Sequence, residues 1–292
     1  MALRHSELTQ KFGAELHGLD IENGLTDALF AEIVALWREK LVLVIRDQAI
    51  GDERLLRFAR RFGALDPAPK LDKARSHAEG FPEIAVVSNV IEDGAPIGGL
   101  GAGELAWHSD MTYVENPPVG CILHAWETPD GAGRTFFANL RGALASLSPD
   151  EREALQGLSL THDDLYTSAG TPRYAAPEKR SAQTHPLLAR HPSWGEEILL
   201  VGRRRGAQVI GLGAEKGEAL LDRIWDLASA ENNVLTHVWR PGDVVIWDNL
   251  LVLHKREAFD DSQRRILHRA QIRTLHPHLK PDPAESLPIA RA

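Results

Sequence analysis

The sequence is poor in cysteine and has no excess of basic residues. Its 292 residues include one cysteine, Cys121, which excludes an intramolecular disulfide and a cysteine-rich zinc or iron–sulfur site. The sequence has 33 Lys and Arg residues and 41 Asp and Glu residues, which gives a formal net charge of −8. Nucleic acids and anionic membranes favour a basic protein face, so we expect neither as a partner.

Long apolar runs and nucleotide-binding motifs are also missing. No run approaches the ~20 residues of a membrane span, and the first residues lack the apolar stretch of a signal peptide. We therefore expect a cytoplasmic protein. The patterns G-x-G-x-x-G and G-x-x-x-x-G-K-[ST] do not occur, which argues against dinucleotide and P-loop sites. Thirteen histidines are present, and they prompt a search for a metal site.

The order of the predicted elements indicates an α+β protein. Helical spacing of apolar residues predicts helices over 27–37, 52–62 and 215–228, with Thr26 as an N-cap. Apolar and β-branched runs predict strands over 41–45, 83–88, 119–126, 135–138, 198–201, 235–239, 244–247 and 266–272. Most strands follow residue 119 and do not alternate with helices. This favours an antiparallel sandwich or jelly roll with flanking helices.

The chain shows no repeats and no clean linker, so we predict one domain over residues 1–292. Two segments interrupt the periodic patterns. Residues 92–103 are rich in glycine and predict a loop at the active site. Residues 162–195 are polar and contain several prolines and glycines, which predicts a long insertion or lid.

His108 and Asp110 form the first candidate pair for chemistry. They are two residues apart, so on an extended strand their side chains point to the same face and could take adjacent positions on one metal ion. A His-x-Asp pair is common by chance, and a surface pair or a helix cap explains it as well. His254 follows four apolar residues. It is either a metal ligand or a core histidine bonded to the backbone.

Arg265 and Arg269 form the second candidate pair. In a strand, Arg265, Leu267 and Arg269 share one face. Two guanidinium groups on one face suit two separate carboxylates, because each offers a planar fork of donors. A solvated basic edge is the alternative explanation.

Together the pairs are more specific than each alone. Two histidines and one carboxylate, taken from a His-x-Asp pair and a remote histidine, match the ligand set of non-heme Fe(II) oxygenases. An arginine 11 residues after the remote histidine would then hold an anionic cosubstrate.

These segments resemble the taurine dioxygenase/2,4-dichlorophenoxyacetate dioxygenase family of Fe(II)/2-oxoglutarate oxygenases. The resemblance extends from about residue 12 to about residue 274. Its marks are Phe62-Gly63, Trp107-His-Ser-Asp110, Asn116-Pro-Pro118, Thr135, His191-Pro192, Trp247-Asp-Asn249, His254 and Arg264-Arg-Ile-Leu-His-Arg269.

The resemblance implies a double-stranded β-helix that carries the site. It implies Fe(II) at His108, Asp110 and His254, and O2 as the oxidant. It also implies that Arg265 and Thr135 bind the distal carboxylate of the cosubstrate 2-oxoglutarate.

For the substrate side, the resemblance implies that Arg269 meets an acidic group and that Trp247 forms a wall near the site. The expected partner is a small anionic molecule, and the protein is expected to be a homo-oligomer.

Departures from the family pattern bear on the substrate. Taurine-specific members have a His and a Tyr where this chain has Ala68 and Leu71, which disfavours a sulfonate pocket. Lys70 and Lys73 could instead pair with a carboxylate, as in the phenoxyacetate branch, or lie in a solvated loop. The run 203–205, three arginines, could bind an anion or another subunit, or be exposed.

Three functions follow from these residues. The first is an Fe(II)/2-oxoglutarate dioxygenase that hydroxylates a small organic acid, of the aryloxyalkanoate type, with an alkylsulfonate dioxygenase as the alternative. The second is a zinc hydrolase with the same ligands, which would leave Arg265 and Thr135 without a role. The third is a non-catalytic binding module on a jelly roll, which would not need an intact set of metal ligands.

Overall fold

The computed structural model describes residues 3–69, 77–172, 180–202 and 206–280. The helices within these residues are α1 (Asp27–Lys40), α2 (Asp52–Phe62), α3 (Leu140–Ala145), α4 (Pro149–Ala154) and α5 (Ala214–Ala228), with single 3-10 turns at Glu231–Asn233 and Pro277–Leu279. None of the described helices combines the length and apolar character that a membrane crossing requires.

The strands within the same residues follow in chain order. They are β1 (Arg4–Glu7), β2 (Ala14–His17), β3 (Val42–Ile45), β4 (Gly63–Leu65), β5 (Ile84–Ser88), β6 (Ile91–Glu92), β7 (Ala95–Pro96), β8 (Gly99–Leu100), β9 (Leu105–His108), β10 (Gly120–Glu127), β11 (Thr135–Asn139), β12 (Ser159–Asp163), β13 (Ala182–Pro186), β14 (Leu188–Arg190), β15 (Glu197–Leu199), β16 (Gln208–Ile210), β17 (Val234–His237), β18 (Val244–Asp248), β19 (Val252–Arg256) and β20 (Ile266–Leu275).

The first helix shows how local sequence sets an element. Thr26 caps α1, since its hydroxyl accepts a hydrogen bond from the Leu29 N–H at 3.3 Å, as predicted. Phe30, Ile33 and Trp37 recur at helical spacing and are buried. The helix runs to Lys40 and ends where Leu41 takes a left-handed φ of 65°. Leu41 therefore caps the helix rather than opening the next strand.

The larger sheet of the described residues has nine strands. Their order is β1-β2-β3-β18-β10-β20-β5-β8, with β4 also paired to β20. Every residue of β3, β5 and β18 is buried. These strands lack polar alternation because both faces of the sheet are covered, by α1 and α2 on one side and by the second sheet on the other.

The smaller sheet has the order β17-β11-β19-β9. It faces the larger sheet, since the ring of Phe137 on β11 lies 5.7 Å from the ring of Trp247 on β18. A second apolar core packs α3 and α5 beside the smaller sheet. The predicted α+β architecture, a jelly roll with flanking helices, is confirmed, and the space between its two sheets contains the candidate site.

Two predicted irregular segments contain regular structure. Residues 92–103 are not a simple loop, because β6 pairs with β7 and β8 pairs in parallel with β5. Residues 162–195 contain β13, which pairs with β12, and β14, which pairs with β15. The sequence does not reveal β13 because most of its residues are polar and only His185 is buried. A strand with both faces polar carries no hydrophobic period.

Candidate active site

Three potential metal ligands meet between the two sheets. One donor atom from each of His108, Asp110 and His254 lies within 4.8 Å of the others. Asp110 Oδ1 is 3.6 Å from His108 Nε2 and 4.0 Å from His254 Nε2. All three residues are buried, and within the described ranges they form the single group of three or more His, Cys, Asp or Glu side chains with this spacing. The fold thus brings together residues that are 146 positions apart along the chain, from 108 to 254.

Pairing between two strands places the histidines. His108, the last residue of β9, lies directly opposite His254 on β19. Asp110 follows in a turn, where Met111 takes a φ of 54°. The expectation that His108 and Asp110 share one face of an extended strand is therefore wrong in this detail, since the strand ends at His108 and the turn returns the carboxylate to the histidines.

Asn249 fixes the backbone of this turn. Its Oδ1 accepts a hydrogen bond from the Asp110 N–H at 2.8 Å, and its Nδ2 donates to the Asp110 carbonyl at 3.0 Å. Nδ2 also donates to the Pro118 carbonyl at 2.9 Å. The side chain is fully buried, so no solvent molecule replaces these bonds. The sequence motif contains Asn249, but nothing in the sequence reveals which backbone groups it holds.

We expect Asn249→Ala to weaken metal binding without direct loss of a ligand. Residues that orient metal ligands typically contribute 10- to 100-fold to metal affinity, and we expect a loss of about that size. Asn233→Ala is a matched control, because Asn233 is also buried and donates to three backbone carbonyls, away from the cluster. Titration with Co(II) and thermal unfolding would separate the effects. Equal metal affinity in the two variants would contradict the orienting role of Asn249.

The Asp110 carboxylate has one oxygen for the histidines and one for other partners. Oδ2 accepts hydrogen bonds from Arg269 Nη1 at 2.7 Å and from Gln271 Nε2 at 3.2 Å. It also accepts a weaker one from Cys121 Sγ at 3.6 Å. Burial alone would raise the pKa of Asp110, but Arg269 and the two histidines more than offset it and hold the pKa well below its usual range. Asp110 is therefore a carboxylate at neutral pH, with Oδ1 free of these side-chain donors.

Both imidazoles can present Nε2 as a lone pair. His108 Nδ1 lies 2.7 Å from the Ala106 carbonyl, to which it can only donate, so Nε2 is the unprotonated nitrogen in the neutral ring. Burial is the main cause and the nearby His108 the second cause that lowers the pKa of His254, to about 3. Two neutral imidazole nitrogens and one carboxylate oxygen are the donor set of the Fe(II) facial triad, so these residues fit that metal.

Arg265 is a buried arginine without an acidic partner. Arg265 is 2 % exposed, and its Nε and Nη1 have no hydrogen-bond partner. Burial, together with the nearby Arg256, lowers its pKa to about 9, so it is cationic at neutral pH. Thr135 is buried as well, and its Oγ1 accepts a hydrogen bond from Trp239 Nε1 at 2.9 Å. The hydroxyl proton of Thr135 therefore points elsewhere and can be donated to an anion.

Arg269 has a partner that the sequence does not predict, namely Asp110. Its Nε remains buried and unpartnered, and the residue lines a cavity with Val86, Leu100 and Met111. The predicted wall residue Trp247 is buried, with its ring 5.1 Å from that of His254.

Several residues considered for the substrate lie outside the described ranges. They are Lys70, Leu71, Lys73 and the three arginines at 203–205. Ala68 is described, and its N–H donates to the Pro82 carbonyl at 2.8 Å. Ala68 is followed by Pro69, which lines the cavity of Arg269.

Comparison with known proteins identifies the family. The family model described as "Taurine catabolism dioxygenase TauD, TfdA family" matches residues 4–271. The chain belongs to this family. Its members are Fe(II)- and 2-oxoglutarate-dependent dioxygenases, so the predicted enzyme class and the predicted requirement for Fe(II), 2-oxoglutarate and O2 are confirmed.

Relatives in the TauD/TfdA family differ in their substrates. The chain is 31% identical over 283 residues to the (S)-phenoxypropionate/alpha-ketoglutarate-dioxygenase of Sphingobium herbicidovorans. This alignment covers 91% of this chain and 93% of the relative. It is 30% identical over 274 residues to the pentalenolactone F synthase of Streptomyces arenae, with coverages of 88% and 90%. The family thus determines the reaction class and leaves the substrate open.

A solved structure is similar over nearly the whole chain. The crystal structure of AAD-2 in complex with Mn(II) and N-oxalylglycine matches with a TM-score of 0.79 and 26% sequence identity, over 95% of this chain and 98% of that chain. The similarity supports the two-sheet architecture described above.

Proposed function

We propose that this TauD/TfdA-family dioxygenase hydroxylates a small organic acid of the aryloxyalkanoate type. The proposal assigns the Fe(II) to His108, Asp110 and His254. The observation that carries it is that two arginines, Arg265 just before β20 and Arg269 on it, have buried N–H groups without a partner in the same interior as this ligand set. One arginine is available for the cosubstrate and the other for the substrate.

In this proposal Arg265 and Thr135 bind the distal carboxylate of 2-oxoglutarate. The guanidinium of Arg265 offers two unpartnered nitrogens, Nε and Nη1, and the hydroxyl of Thr135 offers its proton because Trp239 already occupies one of its lone pairs. A buried guanidinium without an acidic partner is costly, and an anionic cosubstrate removes that cost. The backbone at Gly133, which has a left-handed φ of 64°, lies beside this guanidinium, since a Cβ there would be in van der Waals contact with Arg265 Nε at 3.4 Å.

The protein residues orient the reactants and exclude water. When bound, Fe(II) and 2-oxoglutarate supply the oxidation of the substrate by O2 and release succinate and CO2. Asp110 keeps one oxygen for the metal while Arg269 and Gln271 hold the other. Arg269 would hold the acidic group of the substrate through its remaining donors, so that the adjacent carbon faces the metal side. If that carbon bears an ether oxygen, the hydroxylated product is unstable and the ether cleaves.

The walls of the Arg269 cavity support an apolar substrate body. Val86, Val87, Leu100 and Met111 contribute to them. An alkyl or aryl group is compatible with these four side chains, while Tyr113, Thr167 and Ser168 line another part of the cavity. The phenoxypropionate substrate in the name of the Sphingobium relative is consistent with this choice.

The cavity beside Arg269 is small for an aryloxyalkanoate. Its volume is about 70 Å³, which is smaller than the ~300–1,000 Å³ of typical ligand pockets. This volume accommodates an acidic head group. The aryl body would require more space, for example by displacement of the wall formed by Gly99 and Leu100, which belong to the predicted active-site segment 92–103.

We expect turnover of phenoxyacetate to exceed that of taurine by at least about tenfold in kcat/KM. Taurine-specific members have a His and a Tyr where this chain has Ala68 and Leu71, so a sulfonate loses two polar partners here, and such losses produce strong discrimination. The test measures succinate formation with each substrate under identical Fe(II) and 2-oxoglutarate concentrations, together with phenol and sulfite release. Preferential release of sulfite from taurine would favour the alkylsulfonate alternative and overturn the substrate assignment, but not the iron chemistry.

Other expectations stay predictions. They are a single oxygenase domain over residues 1–292, a homo-oligomeric state, a cytoplasmic location and a role for Lys70 in substrate binding.

A further inference from the structure

A second buried arginine lies beside the proposed cosubstrate site. Arg256 is the last residue of β19 and is 3 % exposed. Its direct cross-strand neighbour on β11 is Thr135. The guanidinium carbons of Arg256 and Arg265 lie over the same ring, 5.2 Å and 6.0 Å from the centroid of Phe259. The two cations and the Thr135 hydroxyl therefore border one small region.

Strand alternation directs Arg256 to the interior. Residues two apart on a strand share a face, and His254 on the same strand points at Asp110 between the sheets. Arg256 thus shares the face of a proposed metal ligand. Neither its position after His254 nor its neighbours in the sequence distinguish it from a surface arginine.

The donors of Arg256 are only partly used. Nη2 donates to the backbone carbonyls of Leu100 and Gly103, whereas Nε and Nη1 have no partner. Arg265 also has unpartnered Nε and Nη1. Within the described part of the chain, neither guanidinium forms an ion pair with an acidic side chain. Two buried like charges destabilise each other unless an anion lies between them.

We propose that Arg256 is a second cationic residue of the cosubstrate site, which binds the distal carboxylate of 2-oxoglutarate together with Arg265 and Thr135. This inference rests on the proposed function. A carboxylate has two oxygens with about four lone-pair positions, enough for both guanidinium groups and one hydroxyl.

The same side chain also contacts the wall of the substrate cavity. Leu100, whose carbonyl accepts from Arg256 Nη2, lines the cavity of Arg269. An Arg256 variant could therefore disturb that wall as well as the anion site. A test of the inference has to compare ligands that differ only in the distal carboxylate.

The experiment uses the full chain loaded with Mn(II) under anaerobic conditions, with calorimetric titration of 2-oxoglutarate and of 2-oxobutanoate. The second ligand keeps the 2-oxo acid group and lacks the distal carboxylate. We expect Arg256→Met to weaken 2-oxoglutarate binding roughly 10- to 150-fold, the range for loss of one buried charge-assisted contact, and to leave 2-oxobutanoate binding unchanged. Arg256→Lys, which keeps the charge, should recover part of the loss.

Arg134→Met is the matched control. Arg134 immediately precedes Thr135, but its guanidinium pairs with Glu257 and is partly exposed, so neither ligand should be affected. Unchanged 2-oxoglutarate affinity in Arg256→Met would overturn the inference, and so would an equal loss for both ligands, which indicates a role in the wall alone. Failure of the wild-type Mn(II) protein to bind 2-oxoglutarate would contradict the proposed function itself.

Discussion

His108→Ala and His254→Ala are each expected to abolish turnover while the protein stays folded. Each change removes one of three donors from the proposed metal site, and the remaining pair cannot hold the ion in the geometry that the reaction needs. Both imidazoles have few other partners, because His254 Nδ1 is unpartnered and His108 Nδ1 bonds one carbonyl. Metal content and succinate formation measure the loss, and thermal unfolding measures the fold.

Asp110→Ala should abolish turnover too, but it should also destabilise the protein. Arg269 would keep a buried charge without its partner, which typically costs ~3–5 kcal/mol. The two histidine variants are therefore the cleaner tests. His278→Ala provides a control at an exposed histidine. If either His108→Ala or His254→Ala retained bound iron and near-wild-type activity, the metal assignment would be wrong at that position.

Arg265→Ala and Arg269→Ala are expected to affect different ligands. Loss of Arg265 should mainly raise the apparent constant for 2-oxoglutarate, since its guanidinium lies over the ring of Trp239, which donates a hydrogen bond to Thr135. Loss of Arg269 should mainly raise the constant for the organic acid. Each change removes a buried charge-assisted contact of ~1.5–3 kcal/mol, or roughly 10- to 150-fold in affinity.

The contact with Asp110 adds a second effect for Arg269. Its removal also takes away a partner of a proposed metal ligand, so Arg269→Ala should weaken metal binding, whereas Arg265→Ala should not. Arg264→Ala is the neighbouring control, because Arg264 is exposed and pairs with Glu127. Steady-state kinetics with each ligand varied in turn, together with metal titration, gives the comparison. The reverse pattern, with Arg269 controlling 2-oxoglutarate, would overturn the assignment.

The sequence predicted the elements whose hydrophobic period is strong. The helix from Asp27 and the strand ending at Ile45 agree with the structure within a few residues, because their apolar faces are buried. Hydrophobic period does not predict strand β9, because it has only four residues, of which two are buried and two are less buried. The identity of the ligands could still be predicted, because residue type and spacing carry that information.

Cross-strand contacts could not be predicted. Cys121 lies opposite Gln271 on β20, and that pairing brings Gln271 to Asp110, 161 positions away. The same holds for Arg256 and Thr135. Register between distant strands depends on the complete pattern of packing rather than on any local motif. Lys70 and Lys73, which the sequence suggests for substrate binding, lie outside the described ranges.

The most direct test of the account is anaerobic addition of 2-oxoglutarate to the Fe(II)-loaded wild-type protein. We predict a visible metal-to-ligand charge-transfer band that saturates with 2-oxoglutarate and is lost in His254→Ala. The band requires iron and the 2-oxo acid on one site, so a zinc hydrolase or a binding module would not produce it. Absence of the band in the iron-loaded wild-type protein, or its persistence in His254→Ala, would contradict the assignment of this site.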